Sequence, residues 1–143
     1  MSKFSYLLAL KAGLSEPEAD LIMHAAPMHD IGKIGIPDEI LKAPRRLTDE
    51  EMTIMKTHTT IGASILSHSN SEILRMAFEV CLSHHEKWDG SGYPRGIKGY
   101  DIPMASRIIA ISDSFDAMTT FRTYREMITK EEALPTETGT YSP

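Results

Sequence analysis

Residues 48–66, TDEEMTIMKTHTTIGASIL, carry the clearest folding signal in this chain. The stretch begins with a capping box, in which the side chains of Thr48 and Glu51 accept hydrogen bonds from each other's backbone amides at the start of a helix. Apolar residues then recur at helical spacing as far as Leu66. We therefore predict one continuous helix through this stretch, with His58 on it.

The other segments show the same helical pattern, and none shows the alternation of apolar and polar residues that a strand requires. We expect a kink at Pro27, a turn from Gly32 to Pro37, and a glycine-rich loop over residues 86–103. One helix is predicted to end at Gly13, and the next to begin at the capping box of Ser15 and Glu18. Two more are predicted to run from about Ser71 to His85 and from Pro103 to Asp116. A last short helix is predicted to begin at Thr129 and to end near Pro135. The sequence thus predicts an all-α fold, a single helical bundle with a Gly-rich loop between its late helices.

The composition restricts the kind of ligand. The 143 residues carry a net charge of −5, which argues against a broad basic surface for DNA or RNA. A small phosphorylated ligand needs only a few cations or metals and stays compatible with this charge. The single cysteine, Cys81, forms no internal disulfide and is typical of a reducing cytoplasm. No apolar run reaches the roughly 20 residues of a membrane span. We therefore expect a cytoplasmic protein with no membrane span and no nucleic-acid polymer as partner.

Several predicted helix ends and faces carry residues that bind metals in proteins. Imidazole and carboxylate ligands together suit Mn, Fe or Zn, whereas oxygen ligands alone would suggest Mg or Ca. Two such metals close together activate a water molecule and hold the attacking and leaving oxygens of a phosphodiester cleavage. The candidate ligands are His29, Asp30, His58, His84, His85 and Asp113.

Each candidate also has a plainer interpretation. A single histidine such as His58 is more often a packed or capping residue than a metal ligand. His29 could simply be the last residue of a helix, with Asp30 as its cap. Asp113 could belong to an exposed acidic face. The pattern favours a metal site because all these residues occur together. His24 and His68 have no companion ligand nearby, so we interpret both as surface or structural residues.

Nucleophilic catalysis by a side chain has little support. The chain contains no Gly-x-Ser-x-Gly elbow, and Cys81 lies within an apolar helical stripe.

Four segments form a recognisable combination: HDIGKIGIP at 29–37, HHEKWDGSGYPRG at 84–96, IPMASRI at 102–108 and DSFDAMT at 113–119. Together they resemble the HD-GYP domains, a branch of the HD phosphohydrolase superfamily. The similarity extends from Ser5 to Ala133 and predicts a bundle of the HD-domain type over residues 1–134, with a polar tail over 135–143.

The resemblance implies a bacterial phosphodiesterase that hydrolyses cyclic di-GMP to linear pGpG, GMP or both. It implies a di- or trinuclear site for Fe or Mn, held by the six candidate ligands. Lys33 would lie near the scissile phosphate, where a fixed cation stabilises developing charge, and Asp30 would share in catalysis. Substrate-side positions would be Asp116, Arg122 and Arg125, the arginines being suited to phosphate contacts.

The Gly92-Tyr93-Pro94 segment has two interpretations that the sequence leaves open. In the family it is read as a contact for diguanylate cyclase (GGDEF) partners, and the alternative is a packing loop. The sequence departs from the family pattern at Phe121 and Thr123. A further family histidine would fall just before Met1, so we expect the domain to lack its first helix.

These departures keep two other functions open. One is a weakly active or inactive module that acts through contacts of its Gly-Tyr-Pro loop. The other, which the Gly-Tyr-Pro segment disfavours, is an HD phosphohydrolase acting on nucleotides.

Overall fold

The computed structural model describes residues 1–119, and every α-helix and 3₁₀ turn in this range belongs to a bundle without strands. None of the helices in this range is both long and apolar enough to cross a membrane. The predicted all-α fold is confirmed, whereas the predicted Thr129 helix and the polar tail lie outside the described residues. The helices are α1 (Ser2–Lys11), α2 (Glu16–Ala25), α3 (Asp38–Leu41), α4 (Asp49–Lys56), α5 (His58–Leu66), α6 (Glu72–Ser83) and α7 (Met104–Thr119).

Both predicted capping boxes are confirmed. The backbone amide of Ser15 donates a hydrogen bond of 2.8 Å to the carboxylate of Glu18 at the start of α2. At the start of α4, the amide of Glu51 donates to Thr48 Oγ1 at 3.2 Å and the amide of Thr48 donates to the Glu51 carboxylate at 2.9 Å. These reciprocal bonds satisfy amides that a helix start otherwise leaves without partners.

The prediction of one continuous helix over residues 48–66 is wrong, because α4 ends at Lys56 and α5 begins at His58, with Thr57 between them. The Thr57 hydroxyl donates to the carbonyl of Ile54 at 2.6 Å, and the Thr57 amide donates to the same carbonyl at 3.0 Å. Side chains that bond to nearby carbonyls in this way compete with the regular helical pattern. The break lets His58 point into the protein, while α4 contributes no buried residue.

Small residues let the helices approach one another closely. Ala9, Ala19, Ala25 and Ala77 have no exposed surface. Ala9 and Ala19 share one core cluster with the larger Ile22, Val80 and Ile109, at 1%, 0% and 0% exposure, and Ala25 and Ala77 belong to a second cluster. Such packing leaves little free volume between neighbouring backbones. It holds α2 and α5 against α6, so that the ends of these helices meet.

Gly32 lies in a 3₁₀ turn, Ile31–Gly35, that follows the predicted kink and packs directly on α5. A β-carbon on Gly32 would collide with the backbone of His58 and of Gly62. A residue with a side chain would therefore push this turn away from α5. The close approach carries Asp30 and Lys33 to the start of α5. The kink at Pro27 is itself a short 3₁₀ turn, Ala26–Met28.

Candidate metal centre

The predicted metal ligands lie around the carboxylate of Asp30. His58 Nε2 is 3.4 Å and His84 Nε2 is 3.8 Å from Asp30 Oδ1. His29 Nε2 is 3.3 Å from the other oxygen, Oδ2, and 3.7 Å from Asp113 Oδ1. Asp30 therefore lies between two groups of side chains. We call His29, Asp30 and Asp113 the carboxylate half, and His58, His84 and His85 the imidazole half.

His85 completes the imidazole half. Its ring centroid lies 4.0 Å from that of His84 and 5.1 Å from that of His58. One potential ligand atom from each of Asp30, His58, His84 and His85 lies within 4.8 Å of the others. The structure thus brings all six predicted ligands together. His24 and His68 are exposed, as the sequence predicted for surface residues.

Three imidazoles are fixed by hydrogen bonds from their Nδ1 atoms to backbone carbonyls. A carbonyl only accepts, so Nδ1 carries the proton and Nε2 keeps its lone pair. Histidine ligands in metalloproteins are oriented in the same way by a bond from the nitrogen that does not bind the metal. The bonds are His29 to Ala26 at 2.8 Å, His58 to Met55 at 2.7 Å and His84 to Val80 at 2.9 Å.

The atoms that face the centre lack hydrogen bonds. Within residues 1–119, Nε2 of His29, His58 and His84 and Oδ1 of Asp30 are buried without a hydrogen-bond partner. Leaving buried polar atoms unpaired costs about 1–3 kcal/mol for each group. A divalent cation would satisfy these lone pairs together, and the nitrogen and oxygen donors fit Mn, Fe or Zn. The residues present therefore fit a metal centre.

Burial keeps the imidazole half neutral. Burial, reinforced by the neighbouring imidazoles, lowers the pKa of His84 to about 4 and that of His85 to about 3. Burial also lowers the pKa of His58. A neutral imidazole is the form that binds a metal, so these three rings do not have to lose a proton at neutral pH.

The carboxylate half stays charged. Burial alone would raise the pKa of Asp30, but the neighbouring side chains of His29 and Lys33 hold it well below its usual range. Burial alone would lower the pKa of His29, but Asp30 and then Asp113 raise it. The centre therefore presents an ionised carboxylate to a cation.

The predicted catalytic and substrate-side residues have different surroundings. Lys33 Nζ donates to Asp30 Oδ2, and 41% of the Lys33 side chain is exposed, so that an anion in solution can reach it. Asp116 lies one turn beyond Asp113 on α7, and its Oδ1 accepts a hydrogen bond of 3.0 Å from the amino group of Met1. The other two predicted substrate-side residues, Arg122 and Arg125, lie outside the described residues.

The Gly-Tyr-Pro segment packs against the centre. The Tyr93 ring stacks on His85 with centroids 4.8 Å apart and an angle of 21° between the ring planes. A side chain at Gly92 would collide with the backbone of Glu86 and Lys87. Tyr93 is thus a neighbour of the centre that the sequence did not single out. Its only signal was the family motif, which does not reveal where the ring points.

A buried carboxylate fixes the same loop. Glu86 is 6% exposed, and its Oε1 accepts a hydrogen bond of 2.8 Å from the backbone amide of Arg95. The guanidinium of Arg95 in turn donates to Ser83 Oγ at 2.7 Å. These bonds tie Arg95, the residue that follows the Gly-Tyr-Pro segment, to the end of α6, beside His84.

A helical bundle with histidines and aspartates converging on one buried point defines the class of metal-dependent HD proteins. The chain belongs to the HD domain family, whose pattern it matches over residues 1–136. The predicted resemblance to HD phosphohydrolases is thereby confirmed.

Curated proteins with related sequences carry the names of cyclic dinucleotide phosphodiesterases. A cyclic di-GMP phosphodiesterase of Thermotoga maritima is 56% identical over 88% of this chain and 34% of its own length. The cyclic di-GMP phosphodiesterase response regulator RpfG of Xanthomonas campestris is 46% identical over 94% of this chain and 35% of its own length. The 3'3'-cGAMP-specific phosphodiesterase 2 of Vibrio cholerae is 47% identical over 87% of this chain and 24% of its own length. The chain therefore spans about a third or less of these relatives.

Proposed function

We propose that this chain is the hydrolytic domain of a bacterial cyclic di-GMP phosphodiesterase, which opens the cyclic dinucleotide to linear pGpG, GMP or both. The observation that carries the proposal is the set of buried, unpaired Nε2 atoms around Asp30 Oδ1. The names of the related proteins support the substrate class.

We assign the metal ligands by the two halves of the centre. His29 and Asp113 would hold one cation, the three histidines of the imidazole half would hold another, and Asp30 would contribute one oxygen to each. The distances from Asp30 Oδ1 to His58 and from Oδ2 to His29 support this sharing. Iron or manganese is our proposal for the ions of this di- or trinuclear site, because the family resemblance implies these metals and both accept mixed nitrogen and oxygen ligands. When bound, two such ions supply a nucleophilic water and a positive clamp for the phosphodiester oxygens.

The chain's own side chains would orient and neutralise the substrate. Lys33 is a cation beside Asp30 with an exposed side chain, which suits contact with the scissile phosphate. Asp30 would hold Lys33 in place through their ion pair. Asp116, Arg122 and Arg125 stay predicted substrate contacts.

The activity can be tested with the purified chain under anaerobic conditions. We expect hydrolysis of cyclic di-GMP with Mn²⁺ or Fe²⁺, and none in a variant that combines His29→Ala with Asp30→Ala. Parallel assays with 3'3'-cGAMP and with deoxynucleoside triphosphates define the specificity, since one relative is named for 3'3'-cGAMP. Hydrolysis of cyclic di-GMP no faster than in the double variant would exclude the chain as an active enzyme on this substrate.

We also propose the Gly92-Tyr93-Pro94 segment as a contact for diguanylate cyclase (GGDEF) domains. Tyr93 packs inward, while Pro94 is exposed and Trp88 on the same loop is 56% exposed. The exposed residues would therefore form the contact. A GGDEF domain should bind the chain, and Pro94→Ala together with Trp88→Ala should weaken that binding. Equal binding by wild type and double variant would place any such contact elsewhere.

A further inference from the structure

His85 is held differently from the other imidazoles of the centre. Nδ1 of each of the other three histidines bonds to a backbone carbonyl. Within residues 1–119, His85 has no such bond, and its contacts are with the rings of His58, His84 and Tyr93. His85 is also more exposed than the buried His58 and His84. Without further support, this imidazole could rotate away from the centre.

Tyr93 provides that support by stacking. Its ring lies nearly parallel to the His85 ring, with 4.8 Å between centroids and 21° between planes. The backbone amide of Tyr93 also donates to the carbonyl of His85 at 3.2 Å, so the two residues are joined at backbone and ring. Such offset stacking prefers one relative orientation of the two rings.

Lys56 also contacts the Tyr93 ring. Its Nζ lies over the ring, 5.2 Å from the centroid, within the range of a cation–π contact. Lys56 is the last residue of α4, and the helix that begins at His58 follows directly. The Tyr93 ring therefore contacts both His85 and the end of α4.

We propose that Tyr93 is a positioning residue for His85, and that its ring does for this ligand what backbone carbonyls do for His29, His58 and His84. The inference rests on the proposed metal centre. A fixed ring keeps one imidazole nitrogen directed at Asp30, His58 and His84. A cation then binds without first having to order the side chain.

The test compares metal affinity in the absence of substrate. Mn²⁺ or Co²⁺ is titrated into wild type, Tyr93→Phe and Tyr93→Leu, and the visible absorption of Co²⁺ reports the ligand geometry. Residues that orient metal ligands change affinity by about 10–100-fold when lost, so we expect Tyr93→Leu to bind about tenfold more weakly and to alter the Co²⁺ spectrum. Tyr93→Phe keeps the stacked ring and should match wild type in both measurements.

Tyr100→Leu is the matched control. Tyr100 lies on the same glycine-rich loop, is 84% exposed and contacts Trp88 instead of the centre. Its replacement should leave metal affinity and spectrum unchanged. Wild-type affinity in Tyr93→Leu would overturn the proposal. Equal losses in Tyr93→Phe and Tyr93→Leu would also overturn it, because the hydroxyl and not the ring would then be responsible.

Lys56→Met keeps the test decisive if Tyr93→Leu does not fold. It removes only the cation over the ring, so metal affinity should fall by about two- to fivefold, the range of an exposed cation–π contact. Unchanged affinity in a folded Lys56→Met would then count against the proposal. Failure of the proposed metal centre itself looks different, because wild type would then bind neither Mn²⁺ nor Co²⁺.

Discussion

The two halves of the centre differ in charge and in access to solvent. In the carboxylate half, the Asp30 and Asp113 side chains are 30% and 31% exposed, and Asp30 stays ionised. In the imidazole half, the His58 and His84 side chains are 2% and 1% exposed, and burial lowers the pKa of each. One half is therefore anionic and open, and the other is neutral and enclosed.

This difference assigns separate tasks to the two halves. His58 and His84, buried and with fixed protons, offer lone pairs in a set direction, which suits anchoring a cation. The half-buried carboxylates of Asp30, which is paired with Lys33, and Asp113 offer charge near the surface, where a phosphodiester can approach. Because Asp30 has one oxygen on each side, it is the residue on which both tasks depend.

The largest effect is expected from Asp30→Asn, since it removes the charge that both halves share. One lost electrostatic stabiliser costs about a hundred- to a thousandfold in turnover, and a shared ligand should cost roughly a thousandfold or more. Metal analysis should show less metal bound at the cation sites of both halves. The control is Asp38→Asn, which removes an exposed aspartate paired with Lys42. Full metal content in Asp30→Asn would show that the halves do not share this residue.

A pair of variants separates the halves. His84→Ala removes an enclosed imidazole and Asp113→Ala removes a half-buried carboxylate, so each should lose about one metal equivalent. Turnover should fall by about a hundred- to a thousandfold in both, because cleavage needs the two charges together. His24→Ala, at an exposed histidine, is the control. Loss of all metal in both variants would mean that the halves bind as one unit.

The sequence predicted the helices and the convergence of the candidate ligands better than the way these side chains are held. Helical periodicity and capping boxes depend on residues that are close in sequence, so α2 and the start of α4 could be predicted from a few neighbouring residues. The break at Thr57 could not be predicted, because a threonine that bonds back to Ile54 leaves the apolar pattern unchanged. The position of His85 at a predicted helix end, next to His84, made it a candidate ligand, and the family motif agreed. The support that Tyr93 gives it depends on where a long loop folds back, which no spacing encodes.

Lys33→Ala tests the open side of the centre. Its loss removes a cation next to the approaching phosphate, so turnover should fall by about a hundredfold. Metal content should stay nearly the same, because Lys33 bonds to Asp30 and is not itself a ligand. Lys42→Ala is the matched control, since Lys42 forms the same kind of pair with Asp38 at an exposed position. Loss of metal from Lys33→Ala would refute the phosphate role.

The smallest change in turnover is expected from Gly32→Ala, which acts on the distance between the halves. The new β-carbon would collide with the backbone of His58 and Gly62, and such overpacking costs about 1–3 kcal/mol of unfolding free energy. The 3₁₀ turn that begins just after Asp30 would have to move away from α5, so metal affinity should fall by about tenfold, as when a ligand loses its orientation. Urea unfolding and Mn²⁺ titration measure the two effects.

Gly35→Ala is the control for this variant, because its β-carbon would meet only side-chain atoms of Ile61, at 3.0 and 3.1 Å. A side chain can rotate to make room, whereas the backbone of α5 cannot. Both variants should therefore lose some stability, but only Gly32→Ala should lose metal affinity. If Gly32→Ala is less stable and still binds Mn²⁺ like wild type, the contact between this turn and α5 supports the fold without setting the distance between the two halves.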